Sequence, residues 1–268
     1  MGFRLEIETM MRDDVLLYVS FDRGLDADVA GGGRSPSTRF NHPDEAGRFV
    51  FEEGVDASVF RTGRGVHGAG LEAINVLPRN GRIFYPAQGN IAFRKGGWGG
   101  AVSFWMNSDP NRMLKTRFCD PVQITEKGAN NGGLWVDFPD TTPRDFRLGA
   151  FAAGAGLAET DADAPLVRVR NVGFKAGDWH HIAMAWSNFD SGIANARAAL
   201  YLDGKLAGEL GGRAIAMDWN LDRTGIYVAV SYIGLLDELA VFRRPLTAGE
   251  VAELAGDPGI LASLRRTP

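Results

Sequence analysis

The chain has 268 residues, 45% apolar and 23% charged, with a formal net charge of -4. That is the composition of an ordinary soluble globule, and the acidic balance supplies no basic face for nucleic acid. A single cysteine, Cys119, excludes an internal disulfide and is compatible with the cytoplasm.

The chain starts with the charged residues Arg4, Glu6, Glu8, Arg12, Asp13 and Asp14. No apolar run of about 7–15 residues stands there, so no Sec signal is expected. Val15 to Phe21 reads as a first core strand ending at Asp22. The stretch 23–41, rich in Gly, Asp, Ser and Pro, reads as a long loop. Short strands are predicted at 48–52, 71–76 and 82–85, and a strong central one at 101–106. Weaker strand patterns follow at 121–125, 133–138, 146–151 and 166–170. Residues 179–187 and 197–202 are both apolar and β-rich and are expected to pair, with Asp203-Gly204 as a two-residue hairpin turn. The strands at 226–230 and 236–242 bring the total to about a dozen. The uncharged stretch 225–236 is too short for a membrane helix, which needs about 20 residues. One helix is predicted from Thr247 to Leu254, where Thr247 and Glu250 form a capping box and 257–259 stops the helix. No linker and no internal period of 20–50 residues is visible. The whole of 1–268 therefore reads as one domain, with a core at 14–255 and extensions at 1–13 and 256–268.

Alternation sorts the 179–186 strand into two faces: Trp179, His181, Ala183 and Ala185 on one side, His180, Ile182, Met184 and Trp186 on the other. Both are largely apolar, as in a strand deep inside a sandwich. Phe21, Phe104, Trp105, Trp179, Ile182, Trp186, Leu200 and Leu239 are the predicted buried set.

Several short motifs occur in a fixed order: Phe21-Asp22; Gly65, Gly68 and Gly70-Leu71; Ser103-Phe104-Trp105; Trp179-His180-His181; Tyr201 with Asp203-Gly204; and Asp237-Glu238 before the short helix. In this order they resemble the laminin-G-like domains of the concanavalin A-like lectin/glucanase superfamily. The resemblance implies an all-β, two-sheet antiparallel jelly-roll sandwich with one short C-terminal helix. It also implies a protein that holds or recognises a partner more often than one that catalyses.

Laminarinase-type members of that superfamily carry Glu-x-Asp-x-(x)-Glu on a strand, which places the carboxylates on one face. Here Glu159, Asp161 and Asp163 have the spacing. However, the last acid is Asp, and loop-forming residues 154–158 and 164–165 flank the segment, so it reads as a solvated acidic loop. His180 and His181 face opposite sides of a strand, His42 and His67 lie far off in sequence, and no zinc pattern or Gly-x-Ser-x-Gly elbow exists. An enzyme is not expected. The resemblance further implies a structural calcium between the first and last strands, with Asp22 and Asp237 among its oxygen ligands. The competing reading closes that corner with hydrogen bonds or with an arginine such as Arg243.

Glycan recognition needs aromatic faces for stacking together with polar acceptors. Trp98, Trp135 and Trp219 are the candidates, with Asn130 and Asn131 near Trp135. Their bland alternative is that glycine-flanked tryptophans plug the ends of a sandwich. The leading functional expectation is a non-catalytic interaction or scaffold protein, an accessory subunit held in a larger protein assembly, in one version peripheral to a membrane complex. Loops 23–41 and 157–165 and the arginine-bearing C-terminus would make the contacts. The alternative is a carbohydrate-binding, lectin-like module, in one version calcium-dependent. A glycoside hydrolase is the remote third.

Overall fold

The computed structural model describes residues 11–45, 48–114 and 118–265. The charged start at 1–10, weighed above against a Sec signal, lies outside the described residues. In chain order the strands are β1 (Val15–Val19), β2 (Val29–Ala30), β3 (Ser37–Asn41), β4 (Phe49–Glu53), β5 (Phe60–Arg64), β6 (Ala69–Ala73), β7 (Arg82–Pro86) and β8 (Trp98–Asn107). After a short helix α1 (Pro110–Met113) come β9 (Cys119–Gly128), β10 (Asn131–Phe138), β11 (Phe146–Phe151), β12 (Leu166–Val169), β13 (His180–Phe189), β14 (Ala196–Leu202), β15 (Lys205–Arg213), β16 (Gly225–Val230) and β17 (Gly234–Phe242). The C-terminal helix α2 spans Ala248–Gly256.

All strand pairs are antiparallel. The first sheet runs β15-β14-β13-β8-β17-β1-β2, with β6 also on β17 and β5 on β6; the second runs β12-β11-β10-β9-β16-β7-β3-β4. This is the predicted two-sheet sandwich with its C-terminal helix. The alternation read in β13 holds: Ile182, Met184 and Trp186 join the core between the sheets, while Ala183 and Ala185 face outward. That outer face is covered by Val251 and Leu254 of α2 and by Ile260 and Leu261 beyond it. Helix α2 has the predicted capping box: Thr247 accepts from the Glu250 N–H, and Glu250 accepts from the Thr247 N–H. The hairpin at Asp203-Gly204 takes φ of 48° and 77°, the two positive values its turn type requires.

Three expectations are corrected. The stretch 23–41 is not one loop, because β2 pairs with β1 and β3 inserts between β7 and β4. Trp105 and Trp179 are half-buried, not core. Trp179 precedes β13, after a turn at Ala176-Gly177. Trp105 lies on the outer face of the first sheet, its ring centroid 5.3 Å from that of His181. The other six predicted core residues are buried.

Candidate functional site

Helix α2 packs on the first sheet, and clefts open on the outer face of the second. Along each strand of that sheet one set of residues points into the core, as Leu134, Val136 and Phe138 do on β10. The intervening set points out. Cross-strand register aligns these outer residues into two rows. In one row Gly149, Trp135, Gln123, Tyr227 and Phe84 are successive partners. In the next, Asp137 pairs with Arg147 on one side of the sheet and Arg82 with Arg39 on the other, with Asp120 at the end of β9 between them. An aromatic row thus lies beside a charged one. Two adjoining clefts of about 640 and 780 Å³ follow them, with Phe118 and Glu159 lining both.

The charged row is largely withdrawn from water. Arg147 is 3% exposed and Asp137 2%. Arg147 Nε donates to Asp137 Oδ1 at 2.8 Å, and its Nη2 donates both to Asp137 and, at 2.6 Å, to Glu159. The guanidinium lies 5.4 Å from the centroid of the Trp135 ring. Burial holds the Asp137 carboxyl up at about 6, against the pull of Arg147. Asp120 is raised well above the usual carboxylate range, first by burial and then by the neighbouring Asp137. Two amide atoms here are buried and have no hydrogen-bond partner among the described residues: Nε2 of Gln123 and Oδ1 of Asn130. Each residue lines one of the clefts. Phe49 and Phe118, 38% and 43% exposed, stand at the rim, with the Arg39 guanidinium over one face of Phe49.

Of the three predicted tryptophans, only Trp135 belongs to this surface. Its ring is 1% exposed, stacked on Phe151 at 5.8 Å, and Nε1 donates to the Ala129 carbonyl. Gly149 makes this possible, since a Cβ there would sit 2.3 Å from the ring. As open stacking platforms all three are corrected, Trp135 by that burial and Trp98 and Trp219 by being 3% and 5% exposed. Their rings pack together 5.5 Å apart beside Trp186, and their indole N–H groups donate to Asp190 and to the Gly132 carbonyl. They plug the end of the sandwich. Glu159 lies on the loop between β11 and β12, so 159–163 do not form a one-face strand array, in keeping with the loop reading. Glu159 nonetheless reaches the cleft, where Asn130 Nδ2 donates to it at 3.3 Å.

Asp22 and Asp237 do meet at the junction of the first and last strands. Asp22 Oδ1 accepts from the Ala69 N–H at 2.7 Å, and Asp237 accepts from the N–H groups of Glu238 and His67. Arg265, not Arg243, is the arginine present, 3.0 Å from Asp22 and also bonded to Glu238. Gly65 and Gly68 let the loop wrap these acids: a Cβ at either would lie 2.3 Å from Asp237 Oδ2 or 2.1 Å from Asp22 Oδ1. Among the described residues no group of three or more His, Cys, Asp or Glu is arranged to hold a metal ion.

Two sheets, antiparallel throughout and closed by a C-terminal helix, define the jelly-roll class. Within it, residues 88–252, more than half of the chain, match the laminin-G family model of the concanavalin A-like lectin/glucanases superfamily, and the chain belongs to that family. No curated protein matches the chain significantly. Among solved structures it is similar to domain 4 of AbnA, a GH43 extracellular arabinanase from Geobacillus stearothermophilus, in complex with arabinotriose. The TM-score is 0.54 and the identity 17%, over 90% of this chain and 99% of that one. It is also similar to the binding domain of botulinum neurotoxin DC in complex with SialylT, with a TM-score of 0.55 and 10% identity, over 96% of this chain and 53% of that one. The binding domain of Paraclostridial Mosquitocidal Protein 1 gives 0.51 and 10%, over 91% and 52%. The chain spans about half the length of these two toxin domains. At such identities the likeness shows the fold alone.

Proposed function

We propose that this chain is a non-catalytic carbohydrate-binding module whose glycan lies across the outer face of the second sheet. The observation that carries the reading is the pair of partnerless amide atoms, Gln123 Nε2 and Asn130 Oδ1, in adjoining clefts. A buried donor or acceptor left unmet costs about 1–3 kcal/mol, and sugar hydroxyls can meet both kinds. The half-open rings of Phe49 and Phe118 offer apolar faces beside them. The arabinotriose and SialylT complexes of structurally similar domains are consistent with this use of the fold.

The test is a glycan microarray followed by calorimetric titration of the strongest hit. Gln123→Ala and Asn130→Ala are each expected to weaken binding by about 5–100-fold. Unchanged affinity in both variants would remove the cleft from the account. Incubation with the bound glycan is expected to release no product. Product formation lost in Asp120→Asn would instead make the protein an enzyme.

The accessory-subunit reading keeps one observation of its own: Phe51, 61% exposed, stands on β4 at the edge of the second sheet. Exposed apolar edge strands invite a partner. Co-purification of a stoichiometric protein from native extract would favour this reading, and migration as a lone monomer would count against it. Calcium enters only at the Asp22–Asp237 corner.

A further inference from the structure

Resting on the glycan-binding reading, we infer that the Arg39–Arg82 end of the cleft receives the anionic group of an acidic sugar, a carboxylate or a sulfate. Arg39 on β3 and Arg82 on β7 are direct cross-strand partners and line the same cleft. Like charges placed opposite one another on a sheet repel, so the pairing is unfavourable unless negative charge comes between them. The charge of Arg147 is met by Asp137 and Glu159. Arg82 is met in part, by the field of Asp120 and by a 3.4 Å hydrogen bond to Gln123 Oε1.

Arg39 is different. It is 7% exposed, and its guanidinium lies 4.1 Å from the Phe49 ring centroid and 4.7 Å from that of Tyr227. No ion pair to a carboxylate occurs at Arg39 among the described residues. The two rings hold the cation by its faces, which leaves the N–H groups at its edge for an acceptor. Gln123 adds a third donor: with its Oε1 turned to Arg82, Nε2 is the partnerless atom. Two guanidinium groups and one amide N–H gather three donors at this end of the cleft, with Asp120 the carboxyl group beside them on β9, a set that suits planar carboxylate or sulfate oxygens. Phe49, half-exposed beside Arg39, offers the ring on which the sugar body would rest.

The experiment uses the whole chain with trigalacturonate, sialyllactose and a heparin-derived tetrasaccharide, each beside its carboxyl-reduced or desulfated counterpart. Binding is measured by calorimetry. At least one acidic member is expected to bind about 10-fold or more tightly than its neutral counterpart, and the preference should shrink as salt rises. Arg39→Gln and Arg82→Gln should each reduce that preference to within about 2-fold, with the circular dichroism spectrum unchanged. Arg82 is the more exposed of the two, so its variant carries the test if Arg39→Gln fails to fold. The arms that respond distinguish carboxylate from sulfate. Equal binding of acidic and neutral counterparts would overturn this inference and leave the glycan reading standing. Failure of every acidic and neutral probe here, together with an empty microarray, would overturn both.

Discussion

Arg147→Met is the most direct probe of the charged row. The substitution keeps much of the stem that lies against Trp135 but removes the cation from between Asp137 and Glu159. The side chains of Arg147 and Asp137 are only 4% and 3% exposed, so water cannot replace the lost bonds. Leaving one partner of a buried pair alone costs about 3–5 kcal/mol, here a fall in melting temperature of about 6–20 °C. The penalty has a limit, because an unpaired buried carboxyl escapes by taking up a proton. With Arg147 present, burial already holds Asp137 at about 6; without it the carboxyl rises further. Above about pH 6 the native variant keeps a proton that both the native parent and the unfolded chain have released. The variant therefore loses stability with rising pH while the parent, at this residue, does not. The gap should widen by up to about 1.4 kcal/mol per pH unit, or about 2.7 kcal/mol between pH 6 and 8, and stay flat below about pH 6. Urea denaturation of both proteins across that range measures it. A gap of equal size at both ends would refute the reasoning. The double variant Asp137→Asn/Arg147→Met should be more stable at pH 8 than Arg147→Met alone.

Trp186→Ala, which empties a site 1% exposed between the sheets, should cost about 3–5 kcal/mol by the same denaturation assay; a loss under about 1 kcal/mol would contradict the core assignment. Because Arg265 already serves as the cation beside Asp22 and Glu238, excess chelator is expected to leave the melting curve unchanged after metal-free dialysis. A clear fall would install calcium there and displace Arg265 from the account. Burial presses the His181 imidazole down to about 4, with its Nε2 2.9 Å from the Ser103 hydroxyl. The unfolded chain binds a proton at this residue from about pH 6.5 downward and the native state does not. At this residue the parent should therefore lose roughly 3 kcal/mol as pH falls from about 6.5 to 4, read as the change in the stability difference between the parent and His181→Gln, since the raised acids such as Asp137 are common to both.

The parts of the molecule written in local pattern were legible from the sequence. Alternation along β13 gave both of its faces, Asp203-Gly204 gave a turn, and Thr247 with Glu250 gave a helix start. Each rests on residues within a few positions of one another. The misreadings have equally physical causes. Strands β2 and β3 were hidden in a Gly- and Pro-rich stretch, since their pairing comes from β1, β7 and β4 rather than from their own composition. Strands β5 and β15 lie outside the well-buried centre of the first sheet, and their sequences carry little apolar pattern. Trp98 sits among glycines and Trp219 between Asp218 and Asn220, as exposed rings would, yet they are buried by one another. Whether a ring is open depends on what packs on it, and those neighbours lie far away in the chain. The charged row was the least legible. Arg39, Arg82, Asp120, Asp137 and Arg147 come from five strands, and only cross-strand register makes them one surface. The available signal was Trp135-Val136-Asp137, where alternation places the ring and the acid on one face.

That surface is not explained by stability. The strands that carry it present an apolar inner face, with Val122, Ile124, Leu134, Val136 and Leu148 all 0% exposed. Their outer face, had it only to meet water, would hold exposed polar side chains, and had it only to stabilise, apolar ones. It does neither. Gln123, Asp137, Arg147 and Arg39 are between 1% and 7% exposed, so each polar or charged group has lost most of its hydration. Replacing buried ion pairs by apolar residues of similar size is often neutral or stabilising by about 1–4 kcal/mol. A sandwich with so complete a core has no structural need of them. Their cost is offset in part by mutual pairing at the Arg147 end, and least at the Arg39 end, where two cations face each other and an amide donor stands unmet. Negative charge from outside the chain is the component that would complete that end.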